Sequence, residues 1–103
     1  MRVYIAGPMS GLPDFNYPAF NAAADLLRTH GVGVLNPADI EFSNRSGRPQ
    51  AWDWYMRRAI QMVSKADGIA LLPGWEASKG ANLEHDIAKA LKMDIRNLDR
   101  WLS

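Results

Sequence analysis

Apolar positions in this chain are of two kinds: short solid runs, and longer stretches in which they recur every three or four residues. Solid runs of this length suit strands buried on both faces, and the spaced kind suits amphipathic helices. Val3-Tyr4-Ile5-Ala6 is the first run, followed by Val32-Gly33-Val34-Leu35 and Gly68-Ile69-Ala70-Leu71-Leu72. Asp94 to Leu98 reads as a short fourth strand, and Asp99 to Ser103 as a tail. Between the first two runs a helix is expected to about His30, with Asn16 as N-cap and Pro18 just inside its start. Phe20, Ala23, Ala24 and Leu27 share one of its faces, and Gly31 closes it. A second helix is expected over Ala51 to Lys65, its inward face being Trp52, Tyr55, Met56, Ala59, Ile60 and Val63. A third follows the loop Trp75 to Gly80, with Leu83, Ile87, Ala90 and Leu91 on one face and Glu84 in its first turn. Ala38 to Gln50 is polar and aperiodic, a loop long enough to be functional or mobile in a small domain.

The order β-α-β-α-β-α-β predicts an α/β fold with right-handed crossovers. The expected architecture is a small Rossmann-like or flavodoxin-like three-layer sandwich on a parallel sheet of four to five strands. In such sheets, ligands bind outside the carboxyl ends of the strands. The two loops that matter are therefore Gly7 to Gly11, after the first strand, and Trp75 to Gly80, after the third.

Composition narrows the classes of partner. A chain of 103 residues accommodates one domain, and 48% hydrophobic with 22% charged residues is ordinary for a globular one. The net charge of +1, with acids and bases interspersed, gives no basic stripe, so long nucleic acids are not the expected partner. Without cysteine there is neither a disulfide framework nor a thiolate metal site, and two histidines make a His-rich site improbable. No metal or redox cofactor is expected. No apolar run reaches the ~20 residues of a membrane span, so no membrane partner is expected either. The N-terminal apolar run stops at Gly7-Pro8, short of the roughly 7–15 residues of a signal peptide core, and a cytoplasmic location is expected. Four tryptophans, Trp52, Trp54, Trp75 and Trp101, in so small a chain point to a surface hidden in a homodimer or higher homo-oligomer.

Each candidate residue carries two readings. Gly7-Pro8-Met9-Ser10-Gly11 is either a phosphate-approaching loop, its glycines admitting the ligand, or an ordinary strand-to-helix turn; it matches neither GxGxxG nor a P-loop. Ser78, Lys79 and Gly80 offer a hydroxyl, a cation and a glycine at a helix start, where Ser78 could cap the helix, donate to a phosphate oxygen, or do both. Glu84 either complements the helix dipole or acts as a nucleophile, held ionised by that dipole for attack on a sugar carbon. Tyr4 would hydrogen-bond it if the first and third strands are neighbours, and otherwise is a core residue. Asp67 reads as a turn residue and His85 as solvated.

The segments VYIAGPMSGLPDFNYPAFNAAA, NPAD and ALLPGWEASKGANLEHDIAKAL, with their spacing, resemble the DUF4406 family, which is common in phages and prophages. That family is similar to the nucleoside 2-deoxyribosyltransferases and the deoxynucleoside 5'-monophosphate N-glycosidases. The resemblance implies cleavage of the bond between base and deoxyribose, with Glu84 attacking the anomeric carbon and Tyr4 orienting it. It also implies that Gly7, Pro8, Met9, Ser10 and Gly11 line the sugar or phosphate pocket; Gly80, from the reading of the second loop, is expected to bind substrate with them. Ser78, six residues before Glu84, matches the monophosphate-binding serine of the hydrolase branch, where the transferases carry an aspartate. A small-molecule nucleotide is the implied partner. One departure stands out: those enzymes place an aspartate on the inward face of the preceding helix, and Ala59 stands there here.

Three functions follow as expectations. The first is an N-glycosidase or deoxyribosyltransferase-like enzyme acting on a nucleotide through Glu84. The second is a module that binds the nucleotide without breaking a bond, which Ala59 favours. The third is an interaction protein docking through exposed tryptophans and the loop Ala38 to Gln50.

Overall fold

In the computed structural model, which describes Met1–Ser103, the first apolar run becomes β1, Arg2–Ala6. Side chains alternate across a strand, so β1 serves two cores at once. Val3 and Ile5 pack with Phe20 and Leu27 on one side, and Tyr4 and Ala6 with Val63 and Ala88 on the other. The remaining strands are β2, Gly33–Leu35; β3, Gly68–Leu71; and β4, Asp94–Asn97. All pair in parallel in the order β2-β1-β3-β4. The chain leaves β1 for β2 on one side and returns to β3 on the other. The carboxyl ends of β1 and β3 are thus the point where the winding reverses and a crevice opens.

Helices α1, Tyr17–Thr29, and α4, Leu98–Leu102, cover one face; α2, Trp52–Lys65, and α3, Lys79–Ala90, cover the other. This is the expected Rossmann-like three-layer α/β sandwich, with four strands. None of the helices is long and apolar enough to cross a membrane.

Local differences from the sequence expectation have identifiable causes. Asn16 does precede α1, but in a left-handed conformation (φ 61) that makes no side-chain cap; its amide instead donates to the Pro8 carbonyl at 3.0 Å. The start of the aperiodic stretch coils into a 3-10 turn, Pro37–Ser43, capped by Asn36, whose side chain accepts from the Ala38 amide. The turn forms because its polar sequence hides two apolar residues, Ala38 and Ile40, which pack into the two cores.

The expected tail is α4, and its Trp101 is a core residue. The Trp101 indole donates to the Ile69 carbonyl at 2.8 Å and lies against Gly68, where a Cβ would meet the ring at 2.7 Å. Trp54 and Trp75 are half-buried, leaving Trp52 as the exposed tryptophan. Of the four, Trp101 alone is buried within the chain.

Helix α3 also turns a different face inward from the expected one. Ala81, Glu84 and Ala88 are buried, whereas Leu83 is 41% and Leu91 56% exposed. A Cβ on Gly80 would stand 3.1 Å from the Met56 sulfur, so α2 and α3 approach closely there. Close approach selects the small-residue face over the leucine stripe. On α2, Ala59 and Val63 are buried as expected, while Trp52 lies near the surface.

Candidate functional site

At the ends of β1 and β3 the structure leaves a cavity of about 680 Å³. Tyr4, Gly7, Pro8, Met9, Ser10, Ser78, Gly80 and Glu84 all line it, as does Ala59 on α2. Gly11 does not: it sits exposed in a turn at φ 80, with nothing within 4 Å of the position of a Cβ. Gly7 lines the cavity for a reason other than ligand approach. A Cβ there would come within 2.8 Å of the Leu72 Cβ, so its glycine lets the two strand ends close on each other.

The β1–β3 adjacency on which Tyr4 depended is present, with Tyr4 opposite Ile69 in the parallel register. Tyr4 and Glu84 both reach the same side of the sheet, and the Tyr4 hydroxyl donates to Glu84 Oε2. Glu84 Oε1 makes no hydrogen bond. Since no buried side-chain oxygen or nitrogen lacks a partner, Oε1 is the oxygen open to the cavity.

The electrostatics of Glu84 reverse the expectation from the sequence. The helix begins at Lys79, with Ser78 as its cap, which places Glu84 in the second turn. Dipole stabilisation fades beyond the first turn, and Glu84 is only 5% exposed. Burial therefore dominates and raises its pKa from an ordinary 4.5 to about 8, although the Tyr4 hydrogen bond pulls the other way. At neutral pH the carboxyl is mostly protonated. Tyr4 is raised well above the usual phenol range by burial first, then by the Glu84 charge and hydrogen bond, and stays a neutral donor.

The loop before α3 is held rigidly. Ser78 Oγ accepts from the Ala81 amide at 3.1 Å, which leaves the hydroxyl proton free to donate into the cavity. The Asn82 amide donates to the Glu76 and Ser78 carbonyls at 2.9 and 2.8 Å and spans the loop. The Lys79 ammonium rests 4.3 Å from the centre of the Trp52 ring at the cavity edge.

A second polar wall was not anticipated. Tyr17 and Tyr55 line the cavity beside Gln50, and both feel the charge of Glu41 from the 3-10 turn, which Tyr55 alone reaches with a hydrogen bond. The Tyr55 hydroxyl donates to Glu41 Oε2 at 2.6 Å, and the Asn44 amide donates to Oε1 at 2.9 Å. The Tyr55 pKa is raised by that hydrogen bond and then by burial; that of Tyr17 is raised by burial and then by the Glu41 charge. The sequence contained a weak sign of this wall: an acid and an asparagine three residues apart in the aperiodic stretch. No spacing rule connects that stretch to Tyr55.

The remaining candidates lie outside the cavity. Asp67 accepts from the Arg2 amide at 2.8 Å, in keeping with a turn residue. His85 is half-buried rather than solvated, stacked on Trp75 with ring centroids 4.7 Å apart. No three His, Asp or Glu side chains converge as a metal site would require.

A parallel α/β domain with a ligand-sized crevice at its winding reversal, and one buried carboxyl at the crevice floor, defines the class of protein. Residues 1–97 match the model of the domain of unknown function DUF4406, and the chain belongs to that family. No curated protein matches it.

Proposed function

We propose that this protein binds a deoxynucleoside 5'-monophosphate or a related small nucleotide in the crevice and breaks its N-glycosidic bond, with Glu84 as nucleophile. The observation that carries the reading is a carboxyl buried at the cavity floor, with one oxygen fixed by Tyr4 and the other facing the void. Burying a carboxyl this deeply opposes folding, and such groups concentrate where chemistry uses them. The likeness of the chain's motifs to the nucleoside 2-deoxyribosyltransferases and the monophosphate N-glycosidases supports the same role.

In this reading the ionised Glu84 Oε1 attacks the anomeric carbon as the base departs with the bonding electrons and takes up a proton from water. Positive charge developing on the sugar meets a buried carboxylate, where the attraction is stronger than in water. Tyr4 holds Oε2, so the attacking oxygen is preset. The Ser78 hydroxyl, with its proton uncommitted, is the donor placed for a phosphate oxygen. The working form of Glu84 is the ionised one, so kcat/KM rises with pH towards about 8.

Ala59 favours the binding-module reading, because Glu84 is the one Asp or Glu that lines the cavity. Release of free base from a panel of deoxynucleoside and ribonucleoside 5'-monophosphates, wild type beside Glu84→Gln, decides between them. The expected result is release by the wild type and a loss of at least about 10³-fold in the variant. Tight binding to both proteins with no base released would make the protein a nucleotide-binding module.

A further inference from the structure

Resting on that reading, we infer that Tyr55 and Glu41 form the base that activates water in the second half of the reaction, which makes the protein a hydrolase. Once Glu84 is esterified to the sugar, the cavity lining holds no other carboxylate. Water must then give its proton to one of the lining hydroxyls. Tyr4 is committed to Glu84, and Ser78, whose Oγ accepts from the Ala81 amide, has no carboxylate to which its own proton could pass. Tyr17 makes no hydrogen bond that could carry its proton away, and Ser10 is exposed at the rim. Tyr55 alone among these hydroxyls connects the cavity to a carboxylate outside the lining.

The connection runs in the required direction. Both Glu41 oxygens accept, one from Tyr55 and one from Asn44, which is the pattern of an ionised carboxylate. Glu41 forms no ion pair with any Lys or Arg, so its charge is available to the phenol. With its proton directed at Glu41 and only a long contact, 3.4 Å, from the Gln50 amide, the Tyr55 oxygen keeps acceptor capacity for a water in the cavity it lines. Water adds to the anomeric carbon and passes a proton to the Tyr55 oxygen, while the Tyr55 proton moves to Glu41. The bond between the sugar and Glu84 Oε1 breaks, and its electron pair returns to Glu84. Glu41 then releases its proton to solvent from the partly exposed turn. Tyr55 is the catalytic group here, and Glu41 is a positioning residue acting through it.

The test separates the two half-reactions in wild type, Tyr55→Phe and Glu41→Gln. With the best deoxynucleoside monophosphate of the panel, both variants should retain the first burst of free base and lose steady-state turnover. The expected loss is about 10²-fold in Tyr55→Phe and about 10-fold in Glu41→Gln. Intact-protein mass spectrometry should show the sugar phosphate accumulating on Glu84. Azide, which attacks without losing a proton, should restore turnover in both variants. Unchanged steady-state rates in both would overturn the inference while leaving the proposed function standing. So would parallel loss of burst and turnover without adduct or azide rescue. No base release by wild type would remove the proposed function and this step with it. Glu41→Gln decides the matter alone if Tyr55→Phe does not fold.

Discussion

On the face of the sheet covered by α1 and α4, two aromatic rings, Phe20 and Trp101, fill the core among Val3, Ile5, Leu27 and the alanines Ala23, Ala24, Ala38 and Ala70. On the face covered by α2 and α3, Val63, Ile69 and Leu71 pack with Ala6 and Ala88, while Ala59, Ala81 and Tyr4 line the 680 Å³ cavity. One sheet therefore supports two regimes. The first face interdigitates like the interior of an organic crystal, down to an indole seated where Gly68 has no side chain. On the second, small residues bring two helices close to each other and leave a space at the strand ends that they are too short to fill. A buried carboxyl is found on the second face and not on the first. The contrast teaches that the buried carboxyl and the helix walls of the cavity gather on one side of β1, with Tyr17 and Phe20 of α1 closing the cavity from the other.

The largest effect expected from breaking this division is on the filled side. Trp101→Ala should lower the unfolding free energy towards the upper end of the roughly 3–5 kcal/mol typical of a deleted ring. It empties the space over Gly68 and leaves the Ile69 carbonyl unpaired. Chemical denaturation measures it, and a loss below about 1 kcal/mol would show that α4 is an appendage.

The next effect belongs to the cavity side and is a pH dependence. Folded Glu84 keeps its proton to about pH 8, whereas in the unfolded chain it loses it near 4.5. The folded state thus binds the extra proton, and stability is highest below this window and falls as pH rises through it. At 1.36 kcal/mol per unit of pKa difference, the fall between pH 5 and 8 is on the order of 3–4 kcal/mol. Glu84→Gln, denatured across the same pH range, should lack this component. Parallel profiles for wild type and variant would mean that Glu84 is hydrated and ionised in the folded protein.

The smallest expected effect on stability sharpens the comparison most. Ala59→Leu points extra volume into the void rather than into packed atoms, so it should change stability by about 1 kcal/mol or less. Binding of the preferred deoxynucleoside monophosphate, followed by calorimetry, should weaken at least about tenfold. Unimpaired binding would place the ligand away from α2.

The sequence was most legible where burial and backbone pairing act on short segments. The strands at Val3, Val34 and Gly68, the parallel order and the pairing of Tyr4 with Glu84 across 80 residues were all available from runs, breakers and motif resemblance. Reading failed where a choice depended on neighbours. The leucine stripe of α3 has the right period, yet it lost to the alanine face because α2 lies too near. Trp101 read as surface because nothing local announces a glycine on another strand waiting to receive it.

The chain by itself thus determined the alternation of elements, the crevice at β1 and β3, and one wall of it, Tyr4, Gly7 to Ser10, Ser78, Gly80 and Glu84. Those features follow from the periodicity of buried side chains and the rules of parallel connection, which each segment carries in its own composition. Tertiary structure alone decided the protonation of Glu84 and the partnership of Glu41 with Tyr55. Desolvation is set by everything packed around a group, and a hydrogen bond between two separate segments exists only once the fold has brought them together.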